Sequence, residues 1–193
     1  MQFWNETDYA FARTKRVEWS AGGAVRLRDG LRSAYDRRAA VETSVALSPR
    51  VSLDASYMFR AVEGNDIRAH NHRLTLGIEY PLLGNGWSLA GKTLYERHFE
   101  YSTVPDFNRY RQRFEFEHRQ RSWSPWVYQD FTFRDRRGFI RSRSRLGFRW
   151  NWTARVSFRL AYQFESLEAL GAWRPRHSVY TEVSIDRPFW IVE

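Results

Sequence analysis

The chain has 193 residues, 31 basic against 22 acidic side chains for a formal net charge of +9, and no cysteine. That length fits one β-barrel domain, and the lack of thiols excludes disulfide staples and thiolate metal sites. Lys15 and Lys92 are the only lysines, so the positive charge is almost all arginine, which pairs bidentately with carboxylates and tolerates partial burial. Aromatic residues make up 17% although the mean hydropathy is −0.65. Soluble nucleic-acid binders share those totals with membrane barrels that have a polar lumen and an aromatic outer face, so position along the chain must decide. No apolar run approaches the roughly 18 residues of a transmembrane helix. Residues 1–12 lack the basic and apolar regions of a signal peptide, so an envelope protein would need a leader outside this chain.

Residues 2–12 read as a first strand with Asn5, Thr7, Tyr9 and Phe11 on its more apolar side, closed by a short turn at 13–16. Val17, Trp19, Ala21, Gly23, Val25 and Leu27 then alternate with Glu18, Ser20, Gly22, Ala24, Arg26 and Arg28. A period of two marks a β-strand whose faces see different surroundings. Asp29-Gly30 opens a longer loop to residue 36. Ala39, Val41, Thr43, Val45 and Leu47 come next, opposite Arg38, Ala40, Glu42, Ser44 and Ala46. Ser48-Pro49-Arg50 is a tight turn, and Val51, Leu53, Ala55, Tyr57 and Phe59 return against Ser52, Asp54, Ser56, Met58 and Arg60. After a polar loop at 63–66, Leu74, Leu76, Ile78 and Tyr80 face away from Arg73, Thr75, Gly77 and Glu79.

A turn at 81–86 leads to Trp87, Leu89, Gly91, Thr93 and Tyr95 against Ser88, Ala90, Lys92, Leu94 and Glu96, where Leu94 breaks a polar row. A loop at 103–108 precedes Tyr110, Gln112, Phe114 and Phe116 against Arg111, Arg113, Glu115, Glu117 and Arg119. A turn at 120–125 precedes Val127, Gln129, Phe131 and Phe133 against Trp126, Tyr128, Asp130 and Thr132. The clearest strand is 140–150, I-R-S-R-S-R-L-G-F-R-W, with every second residue arginine or glycine. Its partner sets Val156, Phe158, Leu160, Tyr162 and Phe164 against Arg155, Ser157, Arg159, Ala161, Gln163 and Glu165. A loop at 166–175 precedes Val179, Thr181, Val183 and Ile185, which face away from Ser178, Tyr180, Glu182 and Ser184.

The recurring apolar face is long enough for a tilted strand to cross a bilayer. Short turns near 14, 49, 84, 122 and 152 alternate with longer polar loops near 32, 66, 105, 136 and 170, the asymmetry of outer-membrane barrels. Trp19, Tyr80, Trp87, Trp123, Trp126, Trp150 and Trp152 lie beside the short turns. Tyr57, Phe59, Phe99, Tyr101, Tyr110, Phe139 and Phe164 lie toward the long loops, completing two aromatic girdles. Eleven strands can be counted, but single-chain bacterial barrels close on an even number. The expectation is therefore about twelve, with ten as the alternative, an uncounted strand lying before Gln2 or around 186–193.

The inward rows carry a surplus of cations, and Arg111, Arg113, Arg141, Arg143, Arg145, Arg149, Arg159, Glu96, Glu115 and Glu117 form the candidate pore lining. One reading is a cross-strand ladder of arginine–carboxylate pairs that fills and stiffens the barrel. The other is a track for anions, as basic rings make in anion pores. Catalysis needs a nucleophile within reach of a base. His98 has inward parity beside Glu96 and Glu100, and Ser142 and Ser144 have outward parity with no histidine beside them, so no catalytic residue is assigned. His70-Asn71-His72 lacks a carboxylate partner and no glycine-rich phosphate loop occurs, so neither metal nor cofactor is expected. The rival class, a soluble basic β-protein binding nucleic acid, confines its arginines to a patch. Here they share the parity opposite the apolar face on strand after strand, which argues against a nucleic-acid partner.

Several segments resemble an uncharacterised bacterial outer-membrane family, domain of unknown function 2490. They are Trp4 before a short hairpin, R-L-R-D-G at 26–30, H-N-H-R-L-T-L-G-I-E-Y at 70–80, Y-E-R-H-F at 95–99, D-F-N-R-Y-R-Q-R at 106–113, R-S-R-L-G-F-R-W at 143–150 and R-H-S-V-Y-T-E-V at 176–183. A weaker similarity is to small monomeric porins for acidic oligosaccharides. The family resemblance implies an outer-membrane barrel without an established activity. One departure is the end of the chain, where Phe189-Trp190 is followed by Ile191-Val192-Glu193 rather than closing on an aromatic. The expected architecture is all-β, a transmembrane antiparallel up-and-down barrel with residues 1–193 as one domain, in a Gram-negative-type outer membrane. The expected function is a narrow arginine-lined pore for small anions or acidic saccharides. The alternative is a closed structural or accessory barrel of an envelope assembly. The expected partners are outer-membrane lipid, lipopolysaccharide phosphates meeting Arg134, Arg136 and Arg137, and other envelope proteins.

Overall fold

A computed structural model of the chain describes residues 2–28, 33–63, 68–83, 86–100, 106–118, 122–169 and 171–191. They form eleven strands: β1 (Gln2–Arg13), β2 (Val17–Arg28), β3 (Ser33–Ser48), β4 (Val51–Glu63), β5 (Arg68–Leu83), β6 (Trp87–Glu100), β7 (Phe107–His118), β8 (Trp123–Arg134), β9 (Gly138–Asn151), β10 (Val156–Ala169) and β11 (Ala172–Ile191). The strands close into one barrel in sequence order, which leaves no sheet edge. Sequence neighbours pair antiparallel, whereas β1 and β11 pair in parallel, with Trp4 opposite Tyr180 and Glu6 opposite Glu182.

The even count and the purely antiparallel ring are thereby corrected: the barrel has eleven strands and is mixed. When an odd number of strands runs up and down, the first and last point the same way and can close only in parallel, at a small loss of pairing strength per residue. Residues 186–191 continue β11 and add no strand.

The loops are shorter than expected because the strands run past the apolar band. β3 begins at Ser33, so Asp36 lies in a strand and not in a loop. β10 ends at Ala169 and β11 begins at Ala172, which turns the expected loop at 166–175 into strand pairing, Pro175 opposite Ser166. β8 and β9 are joined by residues 135–137 alone. Polar outward residues such as Arg37 hid these extensions. The expected loops at 29–32, 64–66 and 103–105, and the girdle residue Tyr101, lie outside the described residues. The rim carrying 14–16, 49–50 and 152–155 is called lower below, and the opposite one upper.

The alternation predicts the two faces well. Leu74, Leu76, Ile78, Leu146, Phe148, Leu160 and Tyr162 are exposed on the outer surface, while their alternates face the lumen. The expected lower-rim aromatics Trp87, Trp123, Trp150 and Trp152 are exposed as well, Trp87 stacking on Phe116. Trp19 is half-buried, and the Tyr80 ring covers Gly91. Trp126 departs from the girdle: it is 1% exposed, inside the barrel. Outward polar side chains satisfy one another. Gln129 Nε2 donates to Ser142 Oγ at 2.9 Å, Ser144 Oγ donates to Gln129 Oε1 at 2.6 Å, and Gln112 Nε2 donates to Tyr80 Oη at 3.1 Å.

Inside, large residues meet small ones. Leu94, the apolar break in the β6 row, sits opposite Gly77, where an added Cβ would come within 2.5 Å of Leu94 Cδ2. Gly147 stands between Trp126 and Ala161 in the ladder, and a Cβ there would meet the Leu160 carbonyl oxygen at 2.0 Å.

Candidate functional site: a polarised lumen

The upper half of the lumen is filled by charged side chains gathered around single carboxylates. Asp36 on β3 faces three arginines, Arg26 at 3.5 Å and Arg38 and Arg60 at 2.9 Å each. Glu96 on β6 takes Arg111 at 2.6 Å, Arg73 at 3.3 Å and His98 at 3.1 Å. Asp130 on β8 accepts from Arg111 and, at 3.3 Å, Arg113, and also from Tyr128 Oη at 2.8 Å and Thr132 Oγ1 at 3.0 Å. Arg141 reaches Thr132 Oγ1 at 2.9 Å and lies 3.9 Å from Asp130. Arg143 pairs with Glu165 at 2.8 Å, directly across the β9–β10 ladder. Asp36, Glu96, Asp130, Arg143 and Glu165 come from five strands around the ring, and none is more than 5% exposed. Closely packed charge therefore crosses the lumen at this height.

Below these clusters an aromatic layer takes over. Trp4 packs edge-on against Tyr180 at 6.1 Å, and Tyr180 lies 6.1 Å from Trp126. Gly147 and Ala161 leave the room these rings need, since both stand between Trp126 and Tyr180 in the ladder. The Arg26 guanidinium lies 3.6 Å from the Trp4 ring centre. Arg145 stacks 3.5 Å from the Tyr180 ring centre, with Tyr128 at 4.9 Å and Trp4 at 5.0 Å, while its Nε donates to Gln163 at 2.8 Å. Arginine suits this position because its flat, weakly hydrated cation stacks on aromatic faces.

The lower half is open and its charge is reversed. Asp8, Glu42, Asp54, Glu79, Glu115, Glu117 and Glu182 outnumber Lys92, Arg113, Arg149 and Arg159 there. Lys92 lies among three of these acids, Asp54 at 2.6 Å, Glu79 at 3.5 Å and Glu42 at 3.6 Å. Arg159 bridges Glu115 at 2.8 Å and Glu182 at 3.1 Å, and Arg149 holds Glu117 at 3.0 Å. Two chambers occupy this half: one of about 380 Å³ under the aromatic layer and one of about 360 Å³ nearer the lower rim. Lys92, Arg113, Glu115, Tyr128 and Arg159 line both. Above the aromatic layer, the described residues Gln2, Trp4, Arg26 and Glu165 border a pocket of about 10 Å³.

The candidate pore-lining residues thus all face the lumen, yet they do not form one basic track. Arg111, Arg141, Arg143 and Arg145 belong to the filled half, Arg113 reaches from Asp130 to both chambers, and Arg149, Arg159, Glu115 and Glu117 belong to the open half. Glu96 sits in the filled half, and the Glu100 side chain lies outside the described residues. His98 is held between Glu96 and Asn71 Oδ1, the latter at 3.3 Å, and stacks on Phe107. His70 and His72 point outward, His70 stacking on Phe59 and His72 packing tilted against it, and they do not converge with a carboxylate among the described residues. The sequence reading missed Asp36, assigned to a loop, and the joint role of Trp4, Trp126 and Tyr180. Their inward parity was readable; that three strands bring them together was not.

A family model matches the sequence over nearly the whole chain. The chain belongs to the DUF2490 family. The match covers residues 1–184, and the family is described as protein of unknown function. No curated protein matches the chain.

Proposed function

We propose that this DUF2490 chain is an outer-membrane β-barrel whose lumen is plugged on the upper side and forms a blind chamber entered from the lower rim. The outer face supports membrane placement: Leu146 is 66% exposed and Leu76 56%, within a continuous apolar band that water would not tolerate. Strands of 12 residues or more exceed the length a tilted strand needs to cross a bilayer, and the outward Gln129–Ser142–Ser144 cluster satisfies its polar groups internally, as lipid demands. The observation that carries the plug is the set of near-fully buried ion clusters from five strands at one height. The exposure of Arg136 and Arg137 in the 135–137 turn supports a contact with lipopolysaccharide phosphates at the upper rim.

A second reading, the narrow anion pore, is favoured by one observation: cations outnumber carboxylates in the upper half, three arginines crowding Asp36 and three Asp130. The refolded protein in a planar bilayer under a salt gradient separates the two. The plugged barrel inserts and stays electrically silent. A stable anion-selective current, reduced by Arg143→Glu, would establish the pore, and failure to insert would refute the membrane assignment.

A further inference from the structure

The outer face of β3 to β6 carries a groove of about 500 Å³ that the barrel's own side chains leave open. Exposed Ala55 forms its floor, opposite Thr43 on one side and Leu76 on the other. The Tyr57 and Tyr95 side chains border it, and both lean towards the upper rim. Tyr57 Oη hydrogen-bonds to His72 Nδ1, and Tyr95 Oη donates to Asn108 Oδ1 at 2.9 Å. Each partner lies one outward position nearer that rim than the residue directly opposite the tyrosine, Leu74 and Tyr110 respectively. The surface around Ala55 and Leu76 is thereby left uncovered. The groove runs obliquely, from Arg97, three residues from the upper end of β6, to Val41 in the middle of β3. Those two share one ladder row with Tyr57 and Leu74, so three strand spacings, about 14 Å, separate them.

Arg97 is a cation on the outward, apolar parity of β6. Such a side chain is costly at the bilayer midplane and tolerated near its interface, so the upper end of the groove falls at headgroup level. The guanidinium donates to Asn108 Oδ1 at 3.1 Å and to Asp106 Oδ2 at 3.3 Å. It has five N–H donors, so it can take a further anion. Its pair with Asp106 is an exposed one, 39% against 42%, and exposed pairs hold weakly. Asn108 Nδ2 donates in turn to Asp135 Oδ2 at 3.3 Å, which brings the 135–137 turn beside Arg97. At this corner Arg97, Arg136 and Arg137 outnumber Asp106 and Asp135.

We propose that the groove holds one acyl chain of a diphosphorylated glycolipid of the outer leaflet, with one phosphate on Arg97 and the other towards Arg136 and Arg137. The proposal rests on the outer-membrane reading and gives its upper-rim lipid contact a defined site. The chain itself selects little, since lipid tails are as apolar as the groove they would enter. Selection comes from the phosphates on arginine, where charge assistance makes the hydrogen bonds strong, and from the shape over Ala55. A phosphoglyceride brings one phosphate to Arg97 and leaves the 135–137 turn unmet.

The test is native mass spectrometry of the delipidated, detergent-refolded barrel titrated with diphosphoryl lipid A, monophosphoryl lipid A and phosphatidylglycerol. Diphosphoryl lipid A is expected to bind one to one and most tightly. Arg97→Gln should weaken it about tenfold, since hydrogen bonds to a charged group are lost. Ala55→Phe fills the groove without touching a charge and should weaken it about fivefold. Arg155→Gln removes an exposed cation at the lower rim and should leave binding unchanged. Heat-modifiable gel mobility confirms folding; both groove residues face outward, so the variants are expected to fold, and if one does not, the other decides. Absence of a bound lipid on the folded wild-type barrel overturns the proposal. So do equal binding of phosphatidylglycerol, indifference to Arg97→Gln or Ala55→Phe, and an equal loss with Arg155→Gln. Because the titration is made in detergent, failure to insert into a bilayer would refute the membrane reading alone, whereas insertion without lipid A binding would refute this site alone.

Discussion

Replacing Asp130 by asparagine tests whether the upper lumen is a dry plug. The side chain is fully buried, accepts from Arg111, Arg113, Tyr128 and Thr132, and lies 3.9 Å from Arg141. Asparagine keeps the shape and a carbonyl acceptor but removes the charge, leaving three guanidinium groups facing one another. Breaking a buried ion pair by removing one partner costs about 3–5 kcal/mol. Arg111 keeps Glu96 at 2.6 Å, so the lower end, about 3 kcal/mol, is expected. For a chain of this length that is a fall in melting temperature of roughly 6–12 °C. The assay is denaturant and thermal unfolding of the refolded barrel, followed by the gel shift between folded and unfolded forms. Glu115→Gln is the control: its side chain is 34% exposed in the open half, so it should cost no more than about 1 kcal/mol. Equal costs for the two variants would mean that water reaches Asp130, and the plug would have to be abandoned.

Three further outcomes follow from the packing. Gly147→Val places a Cβ about 2 Å from the Leu160 carbonyl oxygen, against backbone that cannot yield, so the variant should fail to give the heat-modifiable folded band. Gln129→Leu strips Ser142 and Ser144 of their partner on the outer face and should cost about 1 kcal/mol in a bilayer, read by urea unfolding in vesicles. In single-tryptophan variants, brominated lipid should quench Trp87, Trp123 and Trp150 strongly and leave Trp126 bright; equal quenching of all four would refute the assignment of faces.

Much of this was legible because a period of two is binary. Arg141, Arg143, Arg145 and Arg149 share a parity, so once Leu146 and Phe148 are placed outward the arginines must face the lumen. Leu94 breaks the polar row of β6 because Gly77 stands opposite it, a pairing across strands that one strand's pattern does not contain. The parallel seam was hidden for a related reason. Parity along β1 and β11 is the same whichever way they pair, and only closure of the ring brings Trp4 beside Tyr180. The charge reversal along the lumen also escaped a reading by rows. Each row mixes both signs, and the segregation exists only by height, which depends on how the strands are staggered around the barrel.

The density of buried charge has a use that stability alone does not explain. Replacing a buried ion pair with apolar residues of similar volume is often neutral or stabilising, so Arg143→Leu with Glu165→Leu, removing both members of a directly opposed pair, should leave the folded barrel within about 1 kcal/mol of the wild type. Register is another matter. A slip of one residue exchanges the two faces of a strand. In the proposed membrane setting, for β9 it would send Arg141, Arg143, Arg145 and Arg149 into lipid, at about 2–4 kcal/mol for each that reaches the midplane. The arginines therefore specify which face is inside more strongly than the apolar residues do, since leucine is accepted on either side. The double leucine variant should keep its unfolding midpoint but lose refolding yield, as slipped forms compete. Unchanged yield together with unchanged stability would show that the hydrogen-bonded ladder and turns alone set the register. A large loss of stability would show that the Arg143–Glu165 pair holds the plug together directly.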